Sequence, residues 1–225
     1  MKNQIKNIAT CCVAAISILL SSCDAHKDFP DTAMKVGHIL CTDGNVHSIE
    51  EVKAKKKEPI AVVFYINQSE DVEGNGYAVY LKDVSPTSFA DSLGIIQGTS
   101  TSLTALDGNS NTYSIYSTKD TTSPLAEEVF QLWRYGQSAY IPSVAQMRLL
   151  YSMKTVINPY IIACGGTPLP DEANECWYWT STEVKGQASV KAWLYSLESG
   201  GMLETPKIQA HKALSLIHIS EPTRH

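Results

Sequence analysis

The chain is predicted to be an α+β protein built on an antiparallel sheet with two or three helices. Three observations carry that prediction. Residues 60–66 (Ile-Ala-Val-Val-Phe-Tyr-Ile) form an apolar, β-branched run of strand length, which fits a strand buried on both faces. Ser123-Pro124 and Ser143-x-x-Gln146 are helix-start signals in the middle of the chain. Aromatic-rich strand patterns follow at 177–182 and 191–196. Strands, then helices, then strands are the order of an α+β fold.

The first element is not part of that fold. Lys2 and Lys6 precede an apolar stretch over residues 8–20, and Leu20-Ser21-Ser22-Cys23 follows. A basic start, a short apolar run and small residues before a cut define a secretory signal. The cysteine after those small residues reads as a lipobox, with the Cys23 thiolate taking lipid before cleavage. The apolar run is too short to span a ~30 Å hydrocarbon core comfortably. Residues 1–22 are therefore expected to be a lipoprotein signal peptide, and Cys23 the lipidated first residue of the mature chain. That anchor places the protein in a bacterial cell envelope, on the outer membrane. Residues 23–34 are polar, contain Pro30 and lack apolar periodicity, the composition of a tether.

The domain is expected over 35–213. Residues 36–41 and 45–48 flank Asp43-Gly44, a tight-turn pair that predicts a hairpin. Lys53, Lys55, Lys56 and Lys57, bracketed by Glu50, Glu51 and Glu58, read as a solvated helix end or turn. After the 60–66 strand, Gly74-Asn75-Gly76 turns the chain into a second strand over 77–82. Residues 85–116, rich in Gly, Ser and Thr with weak periodicity, are expected to be loop with short elements. Ser123 caps a helix whose Leu125, Val129, Leu132 and Trp133 share one face. The capping box at Ser143 opens another, with Met147, Leu150 and Tyr151 inward, and a further helical stretch over 155–163 ends at Gly165-Gly166. The strands 177–182 and 191–196 are separated by a turn at Gly186, Gly200-Gly201 turns again, and 206–213 approaches a last strand.

Residues 214–225 look foreign. From Leu214 to Arg224 the chain resembles, without a mismatch, the translation of a transposon-type sequencing adapter. They are excluded from the fold prediction, and the natural chain is expected to diverge after Ala213.

Composition narrows the function classes. The 225 residues carry a net charge of -5, with 18 Lys and Arg against 23 Asp and Glu. A nucleic-acid partner would want clustered basic residues, so that class is excluded. Of six cysteines, Cys11 and Cys12 leave with the signal and Cys23 carries lipid. Cys164 and Cys176 flank a loop, and a bridge there would yield about 3 kcal/mol in the chain-entropy view. Two buried free thiols are the open alternative.

Ile141-Pro142-Ser143-x-x-Gln146-Met147, Gly165-Gly166-Thr167-Pro168-Leu169 and Trp179-Thr180-Ser181-Thr182-Glu183 occur in that order, followed by Trp193 and the segment 207–213. The succession resembles the Lcl C-terminal domain of bacterial surface proteins. Residues 37–44, 59–64, 81–83 and 106–112 resemble the longer form found in lipoproteins of gut-type anaerobes. The resemblance covers most of the mature chain and implies a C-type-lectin-like domain that displays a binding surface on long loops. It departs from the family at Ala139-Tyr140-Ile141-Pro142, where Trp-Arg-Leu-Pro is usual, and at the closing strand, where the adapter-like tail stands.

Catalytic chemistry finds little to draw on. No nucleophile motif is present, so no catalytic residue, cofactor or metal is expected. His38, Cys41 and His47 have ligand chemistry, but a hairpin scatters them over both faces, and a structural zinc needs four converging groups. The ligand-binding candidates are Asp171, Glu172, Asn174 and Glu175, whose oxygens could accept from sugar hydroxyls or basic side chains, and Trp177, a platform at the strand edge. Trp179, on the same strand face, is expected in the core. The loop 165–176 and the turn 183–189 both adjoin the 177–182 strand and are expected to lie together. Two readings follow: a lipid-anchored binding or adhesion module for a glycan or protein, or a structural component of a cell-surface appendage.

Overall fold

The computed structural model describes residues 33–67, 76–132, 139–172 and 176–219. The signal, Cys23 and nearly all of the tether lie outside the described residues. From Met34 onward the chain belongs to one compact unit.

Two sheets replace the single one expected. The first is antiparallel, with strands β1 (Ile39–Cys41), β2 (Val46–His47), β3 (Pro59–Ile66), β4 (Gly76–Tyr80), β6 (Ala139–Tyr140) and β11 (Leu216–Ile219) in the order β2-β1-β3-β4-β11-β6. The second has the order β5-β10-β7-β8-β9, with β5 (Val84–Ser88), β7 (Trp177–Glu183), β8 (Lys191–Ser196), β9 (Met202–Pro206) and β10 (Ala210–Ala213). One pair in it, β10 with β7, is parallel. Four helices complete the described residues: α1 (Ile49–Lys55), α2 (Gly108–Ser117), α3 (Pro124–Phe130) and α4 (Val144–Ala163).

Period-2 alternation explains why β3 reads as an unbroken apolar run. Val62 and Phe64 face one cluster with the α4 residues Met147, Leu150, Ile157 and Ile161. Ala61 and Val63 face another on the opposite side of the sheet, with Leu40, Ala78, Ile217 and Ile219. A strand buried on both faces has no polar side to show. The third cluster gathers Phe89, Ile115, Leu125, Val129, Ile141 and Trp179 between α2, α3 and the second sheet. Trp179 is fully buried, as expected; its indole N–H donates to Thr87 O at 3.0 Å and its ring meets Phe89 edge-on at 5.5 Å.

The helix-start signals hold. Ser123 Oγ accepts from Ala126 N, and at α4 both halves of the capping box form. The stretch 155–163 is not a separate helix: α4 runs 20 residues straight through Pro159. An interior proline costs about 3 kcal/mol, and buried Ile157 and Ile161 on the first sheet offset it. The basic run ends α1, where Lys56 takes the left-handed conformation.

α2 and most of β5 fall in the stretch expected to be loop with short elements, and β9 follows the Gly200-Gly201 turn. α2 is built from Gly, Asn, Ser and Thr, poor helix formers, and tertiary bonds hold it: Asn111 Oδ1 accepts from Ser100 N at 2.9 Å, and Thr112 Oγ1 accepts from Ile141 N at 2.9 Å. β5 contains Pro86 and β9 ends at Pro206; both are edge strands, where a missing N–H does no harm.

The first sheet takes in residues beyond Ala213. Residues 216–219 form β11 between β4 and β6, with Leu216 and Ile217 fully buried. A segment excluded from the prediction thus fills an interior position of the first sheet. That position asks only for a short strand apolar on both faces, which Leu216, Ile217 and Ile219 supply.

Candidate functional site

The loop after α4 is tied down rather than free. Gly165 turns with φ 73°, and Gly166 passes so close to β4's end that a Cβ there would sit 2.7 Å from Leu81 O. Thr167 N donates to the same carbonyl at 2.7 Å. Asn158 of α4 grips Leu169 twice: its Nδ2 donates to Leu169 O and its Oδ1 accepts from Leu169 N, both at 2.9 Å. Lys154, buried beneath, donates to Pro170 O at 3.1 Å and Leu197 O at 2.6 Å and pairs with Asp171 Oδ1 at 2.7 Å. These bonds satisfy the buried ammonium and leave little freedom up to Asp171.

The loop and the second half of α4 enclose an open cavity of about 680 Å³. Pro159, Ile162 and Pro168 give it an apolar wall, and Ile162 is largely exposed. Asp83, Tyr178 and Lys212 form the polar side, where the Tyr178 hydroxyl donates to Asp83 Oδ2 at 3.0 Å. Carboxylates and an ammonium beside aliphatic surface can hold a polar ligand with an apolar face.

The predicted residues divide over this site. Asp171 and Glu172 stand on its rim. Asn174 and Glu175 lie outside the described residues. Trp177 is half-buried and packs against the Trp179 cluster. It is absent from the lining; Tyr178, on the opposite strand face, borders the cavity from beneath and is itself only 1% exposed. Asp83 and Lys212 escape sequence reasoning because they are 95 and 34 positions away from Tyr178; the parallel register Lys212↔Tyr178 brings the lysine in. The one legible signal was the alternation itself, which sets Tyr178 opposite both tryptophans.

The turn after β7 is not part of the site. The loop 165–176 enters β7 at one end and the turn leaves it at the other, so a seven-residue strand of roughly 20 Å separates them. Glu183, expected in that turn, is fully buried at the end of β7. Its carboxylate accepts from Gln97 N at 2.9 Å, Thr99 N at 3.2 Å and Thr99 Oγ1 at 3.1 Å, and it pairs with Lys207. Lys207 also reaches Ile95 O and Gln97 Oε1, each at 3.1 Å. Burial pushes the Lys207 ammonium below its ordinary range, against the pull of Glu183.

The preceding residues of the Trp-Thr-Ser-Thr-Glu motif have a related role. The β7–β8 register breaks between Trp179 and Glu183. In that bulge Ser181 N donates to Pro142 O at 2.8 Å, Thr180 Oγ1 donates to Trp193 O at 2.8 Å, and Thr182 Oγ1 accepts from Val144 N at 3.2 Å. A buried polar motif here fastens the start of α4 to the second sheet.

The Cys164–Cys176 bridge does not form. No disulfide links the two, and Cys41 and Cys164 are thiols. Cys164 caps α4 and packs against the cluster that contains Cys41, whereas Cys176 Sγ accepts from Ser196 Oγ at 3.3 Å. Burial raises the Cys41 thiol to about 11. His47 lies between Asp43 and Glu51, at 3.2 and 3.1 Å, where its two ring nitrogens are taken up by the carboxylates; among the described residues no group of three or more His, Cys, Asp or Glu is arranged to hold a metal ion.

No family model matches the chain, and no curated protein matches it. Among solved structures, a fimbrial protein from Bacteroides ovatus is similar, with a TM-score of 0.62 at 16% identity over 82% of this chain. The match spans 49% of that protein, so this chain corresponds to about half its length. At that identity the likeness is one of fold: a mixed α+β domain of the kind a fimbrial protein carries. No helix among the described residues is long and apolar enough to cross a membrane.

Proposed function

We propose that the chain is a non-catalytic structural component of a cell-surface appendage, anchored to the outer membrane through lipid on Cys23. The observation that carries this reading is the fold shared with a fimbrial protein over most of the chain. The lipobox at Leu20 to Cys23 agrees with it. The test is deletion of the gene together with a Cys23→Ala variant, read by electron microscopy of the cell surface and by membrane fractionation. Loss of appendages on deletion and release of the variant from membranes are expected. Unaltered appendages, or a variant still membrane-bound and cut at the same site, would overturn the proposal.

The 680 Å³ cavity supports an additional adhesive role, in which a glycan or protein ligand engages Asp171, Glu172 and Lys212 within a C-type-lectin-like frame. Glycan-array binding by the purified domain, lost on Glu172→Ala with Lys212→Ala, would support it. Binding unaffected by that pair would move the ligand elsewhere.

A further inference from the structure

We propose that Lys207 and Gln97 are joined by an autocatalytic isopeptide bond, with Glu183 moving the protons. The reasoning is independent of the appendage reading and rests on three buried side chains. Lys207 and Glu183 are fully buried and Gln97 is 2% exposed. Lys207 Nζ lies 3.1 Å from Gln97 Oε1 and touches the Glu183 carboxylate. On the far side of the amide, Gln97 Nε2 is buried without a hydrogen-bond partner.

Each feature serves the reaction. An ammonium is no nucleophile; a desolvated one beside a carboxylate can transfer its proton and become a neutral amine. The surroundings favour that form, because burial already lowers the ammonium's proton affinity, and the Phe89 ring, centred 5.4 Å from Nζ, closes one side. The amine is held against one carbonyl, so attack is intramolecular and little orientation remains to be lost. The leaving nitrogen makes no bond that must be broken first.

The steps balance. Glu183 takes a proton from Lys207, and the amine lone pair attacks Gln97 Cδ to form the new C–N bond. The bond from Cδ to Nε2 then breaks. Of the three original ammonium protons, one stays on the new amide, one leaves with Nε2 as ammonia, and one remains on Glu183. A buried ion pair becomes a neutral amide and a neutral acid, which removes two desolvated charges. No oxidant, metal or co-reactant takes part. The result ties the long segment between β5 and α2 to the turn between β9 and β10 by a covalent bond.

Mass spectrometry of a protease digest of the purified chain tests this. One branched peptide is expected, joining the segment around Gln97 to that around Lys207 and lighter than their sum by one ammonia. Lys207→Arg and Glu183→Gln should each abolish it. Two unlinked peptides from the unmodified chain would overturn the proposal whether or not the variants fold. So would a loss of one water in place of ammonia, which would make Glu183 the acyl partner. A Glu183→Gln chain that still links would remove Glu183 from the mechanism.

Discussion

Leu216→Ala and Ile217→Ala probe whether the last strand is a working part of the core. The two side chains are fully buried and point to opposite faces of β11. Leu216 enters the cluster beneath α4, and Ile217 the cluster on the far side of the first sheet. Truncating a fully buried Leu or Ile to Ala costs about 2–5 kcal/mol, from lost transfer energy and the cavity left behind. Because the sheet separates the two cavities, the effects should nearly add, to roughly 4–10 kcal/mol. A domain stable by about 5–15 kcal/mol would then be close to unfolding. Urea denaturation followed by tryptophan fluorescence measures this, with Ile208→Ala as a control. Ile208 is 51% exposed, so its loss should shift stability by no more than about 0.5 kcal/mol. If each core variant shifts stability no more than the control, β11 does not occupy the space between β4 and β6.

Asn158→Ala removes both bonds to Leu169 and should destabilise by about 1–3 kcal/mol, with faster amide exchange at Leu169 as the local readout. Lys154→Met leaves the carbonyls of Pro170 and Leu197 without this donor; the variant should lose about 2–4 kcal/mol, by the cost of stranding buried acceptors, and chemical denaturation measures it. Without reductant, alkylation of the unfolded domain should label Cys41 and Cys164, and in the native domain Cys41 should stay unlabelled at pH 8, because its thiol is buried and titrates near 11. Asp91 accepts from the hydroxyls of Thr121 and Thr122 at 2.6 and 2.7 Å, which lowers its pKa to about 2. Its stabilising effect is full above the ordinary carboxylate range and fades as pH falls through about 2. Asp91→Asn should therefore lower the melting temperature at pH 6 and barely change it at pH 2.

The candidate site was legible in part. Prolines and carboxylates marked 165–176 as a loop of interest, and Asp171 and Glu172 do stand on the cavity rim. The sequence could not tell that Asn158 and Lys154 would bind this loop to α4. Asn and Lys on a helix read as solvent-facing unless the partner backbone is known. Trp177 looked like the platform because it is nearer the loop, yet the ring that borders the cavity is the buried Tyr178. Which face of β7 meets the cavity depends on what packs behind it, and α2, α3 and β5 cover the tryptophan side.

What the amino-acid order determined by itself was local. Ser123-Pro124 and the Ser143 box start helices, Asp43-Gly44 turns a hairpin, and 60–66 is a strand, because caps, turns and short-range periodicity act over a few residues. The tertiary structure decided everything that depends on distant partners. It made one helix of 144–163 across a proline and drew a helix from the polar stretch 108–117. It also set a parallel pair into the second sheet and buried the charge of Glu183 beside Lys207. Backbone and side-chain groups in these places satisfy themselves across the fold, where no local pattern records the partner.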